Sequence, residues 1–175
     1  MLEQIKKEII EYGNLAGVKG YTPGISGNIS ARFGDNVVIT SSGSANGYLE
    51  EGDFSVIDFS GNSVSGNLKP SSEKFLHLEF YKKRPDINYI LHVHSPYLTA
   101  FAASGIALDD AISPEIVYCF GKIPLAQYAI PGSSELVEKT SVYFDEYDVV
   151  LLENHGVIVG GSTMNQAYLN LELVE

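Results

Sequence analysis

Apolar residues near the start of the chain recur at alternating steps of three and four positions. This spacing places them on one face and predicts an amphipathic α-helix that ends near residues 17–20. The apolar positions are Leu2, Ile5, Ile9, Tyr12 and Ala16. Start and stop signals, such as Pro-Ser-Ser-Glu and a Thr-x-x-Gln capping box, predict four further helices. These cover residues 70–83, 96–103, from Ser133 or Ser134 to about 147, and 163 to the C-terminus.

Short apolar runs bounded by turn residues predict the strands. They lie at residues 28–33, 37–40, 54–58, 88–93, 148–153 and 157–159, the last followed by a Gly-Gly turn at 160–161. Residues 112–128 are ambiguous, with a short strand expected near 122–125. Helices and strands mix without strict alternation, which predicts an α/β domain over residues 1–175 with one sheet of mixed direction covered by helices. The final residues keep a helical pattern without a C-cap signal, so we expect either an abrupt natural end or a shortened chain.

Charge and cysteine content narrow the function classes. The 11 basic and 22 acidic residues give a net charge of −11, which argues against a general nucleic-acid binder. A phosphorylated ligand would therefore have to be held by backbone N–H groups, hydroxyls and metal. We expect a cytoplasmic protein without a membrane partner for three reasons. The chain has a single cysteine, charged residues interrupt its opening segment, and it contains no long apolar run.

Three of the four histidines follow apolar strand patterns. His92 and His94 form H-V-H at the end of one strand, and side chains two positions apart on a strand share a face. His155 follows a second strand and precedes a glycine. Three imidazoles leave one coordination position open, which is typical of a catalytic zinc site, although H-x-H alone is often met by chance. The alternative is a set of partly buried histidines with local hydrogen bonds.

One carboxylate and three turns could complete such a site. Glu73 lies in the first turn of a predicted helix, where it could complement the helix dipole, act as acid/base or occupy the open metal position. His77, one helical turn later, could orient Glu73, although a packing role is the more common explanation. Three turns offer backbone N–H or hydroxyl donors, each of which alone is most often an ordinary turn or cap. They are Gly27-Asn28, Ser42-Gly43 and Ser71-Ser72.

Taken together, these segments resemble the class II aldolase/adducin family. The matching segments are ISGNIS (25–30), ITSSG (39–43), KPSSE (69–73), HVH (92–94) and ENHG (153–156). The resemblance implies a three-layer α/β/α fold with a mixed, mostly antiparallel central sheet, in a homotetramer. It also implies one Zn²⁺ per subunit, or another divalent metal, held by His92, His94 and His155, with Glu73 as acid/base and transient ligand. The substrate phosphate would be bound by Gly27, Asn28, Ser42, Gly43, Ser71 and Ser72.

The resemblance leaves several activities open. The first is cleavage of a ketose 1-phosphate, fuculose 1-phosphate or similar, to dihydroxyacetone phosphate and an aldehyde. The others are dehydration of methylthioribulose 1-phosphate, epimerisation of a pentulose phosphate, and a non-catalytic adducin-like interaction module. The presence of all three histidines and Glu73 disfavours the last. The sequence departs from the family aldolases at Ser113, where they carry a tyrosine that helps protonate the departing aldehyde; Tyr118 is nearby.

Overall fold

The computed structural model describes residues 1–109 and 113–175. The strands are β1 (Asn28–Phe33), β2 (Asn36–Thr40), β3 (Phe54–Asp58), β4 (Ser63–Ser65), β5 (Tyr89–Val93), β6 (Leu125–Ala126), β7 (Val149–Leu152) and β8 (Gly156–Gly161). The helices are α1 (Leu2–Val18), α2 (Lys74–Lys83), α3 (Pro96–Ala103), α4 (Pro114–Phe120), α5 (Ser134–Ser141) and α6 (Met164–Val174). A single 3₁₀ turn at Asn46–Tyr48 accompanies them in the described part of the chain.

The strands form one sheet in the order β4-β3-β2-β1-β5-β8-β7-β6. Every neighbouring pair is antiparallel except β6 and β7, which are parallel. One apolar core packs α1, α3, α4 and α6 against one face, and a second packs α2 and α5 against the other. The three-layer α/β/α fold with a mostly antiparallel sheet is therefore confirmed. No helix among the described residues is long and apolar enough to cross a membrane.

The central strands are continuous apolar runs in the sequence because helices cover both of their faces. Every residue of β7 and β8 is buried, and β5 is buried after its first residue. The predicted turn at 160–161 is wrong, because both glycines lie in β8. A Cβ on Gly161 would lie 2.5 Å from the backbone nitrogen of Ala167, so glycine at this position lets α6 pack directly on the sheet.

Two predicted helix boundaries need correction. Helix α2 begins at Lys74 and not at Pro70, because Pro70 forms an isolated bridge with Ser41 and the Ser71 N–H donates to the Thr40 carbonyl. Helix α5 ends at Ser141, and turns replace its predicted extension to residue 147.

The ambiguous stretch also resolves differently from the prediction. Helix α4 was not predicted, and the short strand lies at Leu125–Ala126, later than the predicted 122–125. Ile112, with which that stretch opens, lies outside the described residues. Strand β4 was missed because its three residues are exposed and its one apolar residue is too little to form a strand pattern.

Candidate active site

The three predicted metal-binding histidines converge at the middle of the sheet. His92 lies on β5 between Asn28 of β1 and Ile158 of β8, and His94 follows on the same face. His155 lies in the turn between β7 and β8. The Nε2 atom of His92 is 3.2 Å from that of His155 and 3.3 Å from that of His94. The structure thus brings together three ring nitrogens from residues that are far apart in the sequence.

Glycine makes this close arrangement possible at the His155 turn. A Cβ on Gly156 would lie 2.5 Å from the Val93 carbonyl oxygen and 2.8 Å from the His94 ring. Asn154, just before His155, adopts a left-handed backbone with φ of 56°, which asparagine tolerates better than most residues. The Asn-His-Gly sequence therefore lets the β7–β8 turn approach the end of β5.

The donor set fits a tetrahedral metal ion such as zinc. Zn–N bonds of about 2.0–2.1 Å place the ligand nitrogens of a tetrahedral site about 3.3–3.4 Å apart. The observed separations of 3.2 and 3.3 Å around His92 are close to this value. The Nδ1 of His92 lies 2.9 Å from the Val157 carbonyl, which can only accept, so Nδ1 carries the proton. The lone pair on Nε2 therefore faces the other two rings, as metal binding requires.

Glu73 approaches the histidines from the start of α2. One carboxylate oxygen, Oε2, lies 3.1 Å from His92 Nε2, and the other, Oε1, lies 3.5 Å from His155 Nε2. The side-chain amide of Asn28 donates to Oε2 over 2.9 Å. Glu73 is the N-cap residue of α2 and its side chain is not used as a cap, which corrects its predicted place in the first turn.

Burial and neighbouring charges set the ionisation of these groups. Burial alone would raise the pKa of Glu73. The nearby rings of His92 and His155 and the hydrogen bond from Asn28 have a larger, opposite effect, and that pKa lies well below its usual range. Burial, with a smaller contribution from His92, lowers the pKa of His94 and of His155 to about 4. Both rings are therefore neutral near pH 7, which is the form that binds metal.

A cavity of about 220 Å³ opens beside this cluster. All six residues predicted to bind a phosphate line it, together with Glu73, His94 and His155, whereas His92 is buried behind them. The full lining is Ile25, Gly27, Asn28, Ser41, Ser42, Gly43, Ser71, Ser72, Glu73, His94 and His155. No lysine or arginine is among these described lining residues, so an anion there would meet neutral donors. The cavity of about 670 Å³ between α1, β5 and α6 is larger but contains none of the predicted site residues.

Two turns of the cavity retain free backbone donors. No hydrogen bond within the described residues engages the backbone N–H of Gly43 or of Ser72. Gly43 adopts φ of +85°, a conformation that turns successive N–H groups toward a concave surface. In contrast, the N–H groups of Ser42 and Ser71 already donate to the carbonyls of Lys69 and Thr40. Gly43 and Ser72 are therefore among the backbone donors that remain available to a ligand.

Sequence reasoning did not single out every lining residue of this cavity. Ser41 and Ile25 line it and lie in segments that carry the family resemblance, but neither was predicted as a site residue. Ser113 is the N-cap of α4, where its hydroxyl accepts from the Ile116 N–H, and it is not a lining residue. Tyr118 is 92% exposed.

Comparisons with known proteins agree with this geometry. Residues 7–175 match the family described as "Class II Aldolase and Adducin N-terminal domain". An L-fuculose phosphate aldolase from Methanocaldococcus jannaschii is 38% identical over 170 residues, covering 97% of this chain and 91% of that protein. A 3-oxo-tetronate 4-phosphate decarboxylase from Haemophilus influenzae is also 38% identical, over 181 residues, covering 100% of this chain and 86% of that protein.

Solved structures give the same result. An L-fuculose 1-phosphate aldolase structure superposes with a TM-score of 0.91 at 32% identity, covering 98% of this chain and 81% of that one. A putative aldolase/epimerase/decarboxylase from Klebsiella pneumoniae gives a TM-score of 0.90 at 31% identity, with coverages of 98% and 85%.

Proposed function

The chain belongs to the class II aldolase and adducin family, and from this premise we propose that it is a metal-dependent aldehyde-lyase. Its substrate would be a ketose 1-phosphate, fuculose 1-phosphate or a similar sugar, cleaved to dihydroxyacetone phosphate and an aldehyde. The observation that carries the proposal is the convergence of three imidazole nitrogens and one carboxylate at the wall of a cavity with free backbone donors.

The metal-binding residues in this proposal are His92, His94 and His155, whose nitrogens lie within 4.8 Å of one another. Zinc, or another divalent ion, would supply positive charge to stabilise the negative charge that develops on the substrate oxygens. His92 is fixed for this role because its Nδ1–H donates to the Val157 carbonyl. Such a partner behind a metal ligand orients the ring and raises its basicity.

Glu73 is the proposed acid/base. In cleavage of a ketose 1-phosphate the C3–C4 bond breaks, the C4 hydroxyl loses its proton to give the aldehyde, and C3 gains a proton. Glu73, ionised at rest, would accept the proton that leaves the C4 hydroxyl and deliver it to C3 from its cavity-facing carboxylate, so that the protons balance over the reaction. Asn28 keeps one carboxylate oxygen in place through the 2.9 Å hydrogen bond, so the carboxylate has a defined orientation for this transfer.

The phosphate would bind at the opposite turns of the cavity. The free N–H groups of Gly43 and Ser72 and the hydroxyls of Ser42 and Ser72 can donate to phosphate oxygens. Asn28 has one further amide hydrogen, since the other is engaged with Glu73. The cradle works through dipoles and hydrogen bonds, because its described lining contains no basic side chain.

The direct test is release of dihydroxyacetone phosphate from fuculose 1-phosphate by the zinc-loaded protein, followed with a coupled reductase. Chelation should abolish release and zinc should restore it. Absence of release from any ketose 1-phosphate in a panel would refute the aldolase proposal. The same panel should contain methylthioribulose 1-phosphate and a pentulose phosphate, since dehydration and epimerisation could use the same metal and acid/base groups.

We extend the proposal to a cytoplasmic homotetramer. Light scattering measures the mass of the assembly and so tests whether it is a tetramer.

A second candidate activity is decarboxylation of a phosphorylated 3-oxo acid. The Haemophilus influenzae relative with this name matches as well as the aldolases do. In addition, the described cavity lining has no tyrosine to serve the aldehyde end, and loss of CO₂ from a 3-oxo acid needs no such group. Turnover of 3-oxo-tetronate 4-phosphate at least tenfold faster than fuculose 1-phosphate would favour this activity over the aldolase.

A further inference from the structure

Strand β1 and helix α2 are joined by polar contacts from three alternate residues of the strand, and we call this set the polar ladder. Asn28 donates to Glu73, Ser30 contacts both His77 and Tyr81, and Arg32 donates to the Tyr81 carbonyl. The ladder uses every second residue of the strand and every fourth residue of the helix. Two residues of strand advance about 6.6 Å and four residues of helix about 6.0 Å, so the two repeats stay nearly in register over three contacts.

The middle contact is polar although its surroundings are apolar. Ser30, His77 and Tyr81 are all 0% exposed, and the surrounding core contains Ile39 and Leu78. The Ser30 hydroxyl lies 2.7 Å from His77 Nδ1 and 2.8 Å from the Tyr81 hydroxyl. A polar group in such a core costs free energy unless it is hydrogen-bonded, whereas a leucine of similar size would not incur that cost. The buried histidine therefore needs a reason beyond packing.

The hydrogen bonds determine where the proton of His77 resides. Burial lowers the pKa of His77 to about 3, so the ring is neutral near pH 7. The Tyr81 hydroxyl can donate to Ser30 at 2.8 Å or to the Asn88 carbonyl at 3.5 Å, and the shorter contact is the stronger one. Ser30 then donates its own proton to Nδ1, which places the His77 proton on Nε2. This Nε2–H has no hydrogen-bond partner among the described residues, and Oε1 of Glu73, one helical turn earlier, has only the 3.5 Å contact with His155.

We propose that His77 is a positioning residue for Glu73. Held by Ser30 and Tyr81 as the Nε2–H tautomer, it fixes the register of α2 against β1 and so keeps the Glu73 carboxylate beside His92 and His155. Glu73 depends on this support because it lies at the N-cap of α2, where the helix begins. Among the described residues, Asn28 is the only side chain other than the histidines that donates a hydrogen bond to its carboxylate. The catalytic importance of this support rests on the proposed function.

The first test uses cobalt(II) in place of zinc, because the visible spectrum of cobalt reports its coordination. His77→Leu and Ser30→Ala should each bind one cobalt per chain yet shift the spectrum toward that of Glu73→Gln. His77→Asn keeps a hydrogen-bonding group at the Nδ1 position and should retain the wild-type spectrum. Phe144→Leu is the matched control, since Phe144 is buried in the same core and stacks on Phe80, which is not a ladder residue.

Kinetics supply a second readout that a purely structural role would not give. His77→Leu should lower kcat about 10- to 100-fold, the range found for residues that support a metal site. KM should stay within about threefold because the phosphate turns are untouched, and His77→Asn should recover most of the loss. If His77→Leu and Ser30→Ala both keep the wild-type cobalt spectrum and kcat, the proposal is wrong.

A metal-independent measurement separates this proposal from the proposed function. NMR of the wild-type protein should show His77 as the Nε2–H tautomer, and His77→Leu should shift the Asn28 side-chain amide that donates to Glu73. Phe144→Leu should leave that amide unchanged. A wild-type chain that binds no cobalt would refute the metal centre, and the Asn28 amide would then decide the positioning proposal alone. An Nδ1–H tautomer or an unmoved amide would overturn it.

Discussion

Substitution of Gly27 by alanine should destabilise the protein more than its place in a loop indicates. Gly27 adopts φ of +73°, and an added Cβ would lie 2.4 Å from the His92 carbonyl oxygen. The left-handed backbone costs an L-residue about 1–2 kcal/mol. The overlap adds about 1–3 kcal/mol, because overpacked sites relax only by moving backbone. We expect a total loss of about 2–5 kcal/mol in the free energy of unfolding.

The loop has little freedom to relieve this overlap. The Asn46 amide donates to the carbonyls of Ser26 and Gly27 at 2.9 and 2.8 Å, which ties the loop to the 3₁₀ turn at Asn46–Tyr48. Gly24 is the matched control, since it has φ of +62° and an added Cβ would meet no atom within 4 Å. Gly24→Ala should therefore lose only the backbone contribution of about 1–2 kcal/mol.

Urea unfolding of both variants at one protein concentration measures the difference. Gly27→Ala should unfold at a lower urea concentration than Gly24→Ala, with an unchanged denaturant slope. Zinc affinity should also fall only in Gly27→Ala, because the overlapped carbonyl belongs to His92. Equal stabilities within about 0.5 kcal/mol would refute the reasoning, since that is the scale of ordinary surface substitutions.

Three further predictions concern the metal and its neighbours. Removal of metal by chelation should lower Tm, because a ligand at about 1,000 times its Kd stabilises the native state by about 4 kcal/mol; an unchanged Tm after verified metal loss would contradict the site. Gly156→Ala should reduce bound zinc below one per chain in elemental analysis, since its Cβ would overlap the His94 ring; full occupancy would count against this reasoning. Glu73→Gln should retain competitive inhibition by inorganic phosphate while kcat falls at least 100-fold, and wild-type turnover would remove Glu73 from the mechanism.

The sequence predicted those parts of the site that depend on local periodicity. The same-face placement of His92 and His94 follows from the two-residue repeat of a strand, and the strand bounds were nearly right because β5, β7 and β8 are continuous apolar runs. The metal and phosphate roles of these residues stay predictions, since the structure shows only where the side chains lie.

Contacts between distant segments could not be predicted in the same way. The hydrogen bond from Asn28 to Glu73 spans 45 positions and follows from the packing of α2 across β1. The start of α2 was misplaced because Pro70-Ser71-Ser72 is a good local helix signal, whereas pairing with the end of β2 holds the segment extended. Tertiary hydrogen bonds outweighed local preference at this point.

The strand order also has a consequence for how the molecule is made. Strand β5 pairs with β1 on one side and with β8 on the other, yet 63 residues separate His92 from His155. Synthesis from the N-terminus at about 5–20 residues per second leaves that second edge of β5 unpaired for about 3–13 seconds. During this interval the nascent chain presents an apolar strand edge that could pair with another chain. His155 therefore arrives just before the strand that closes this edge.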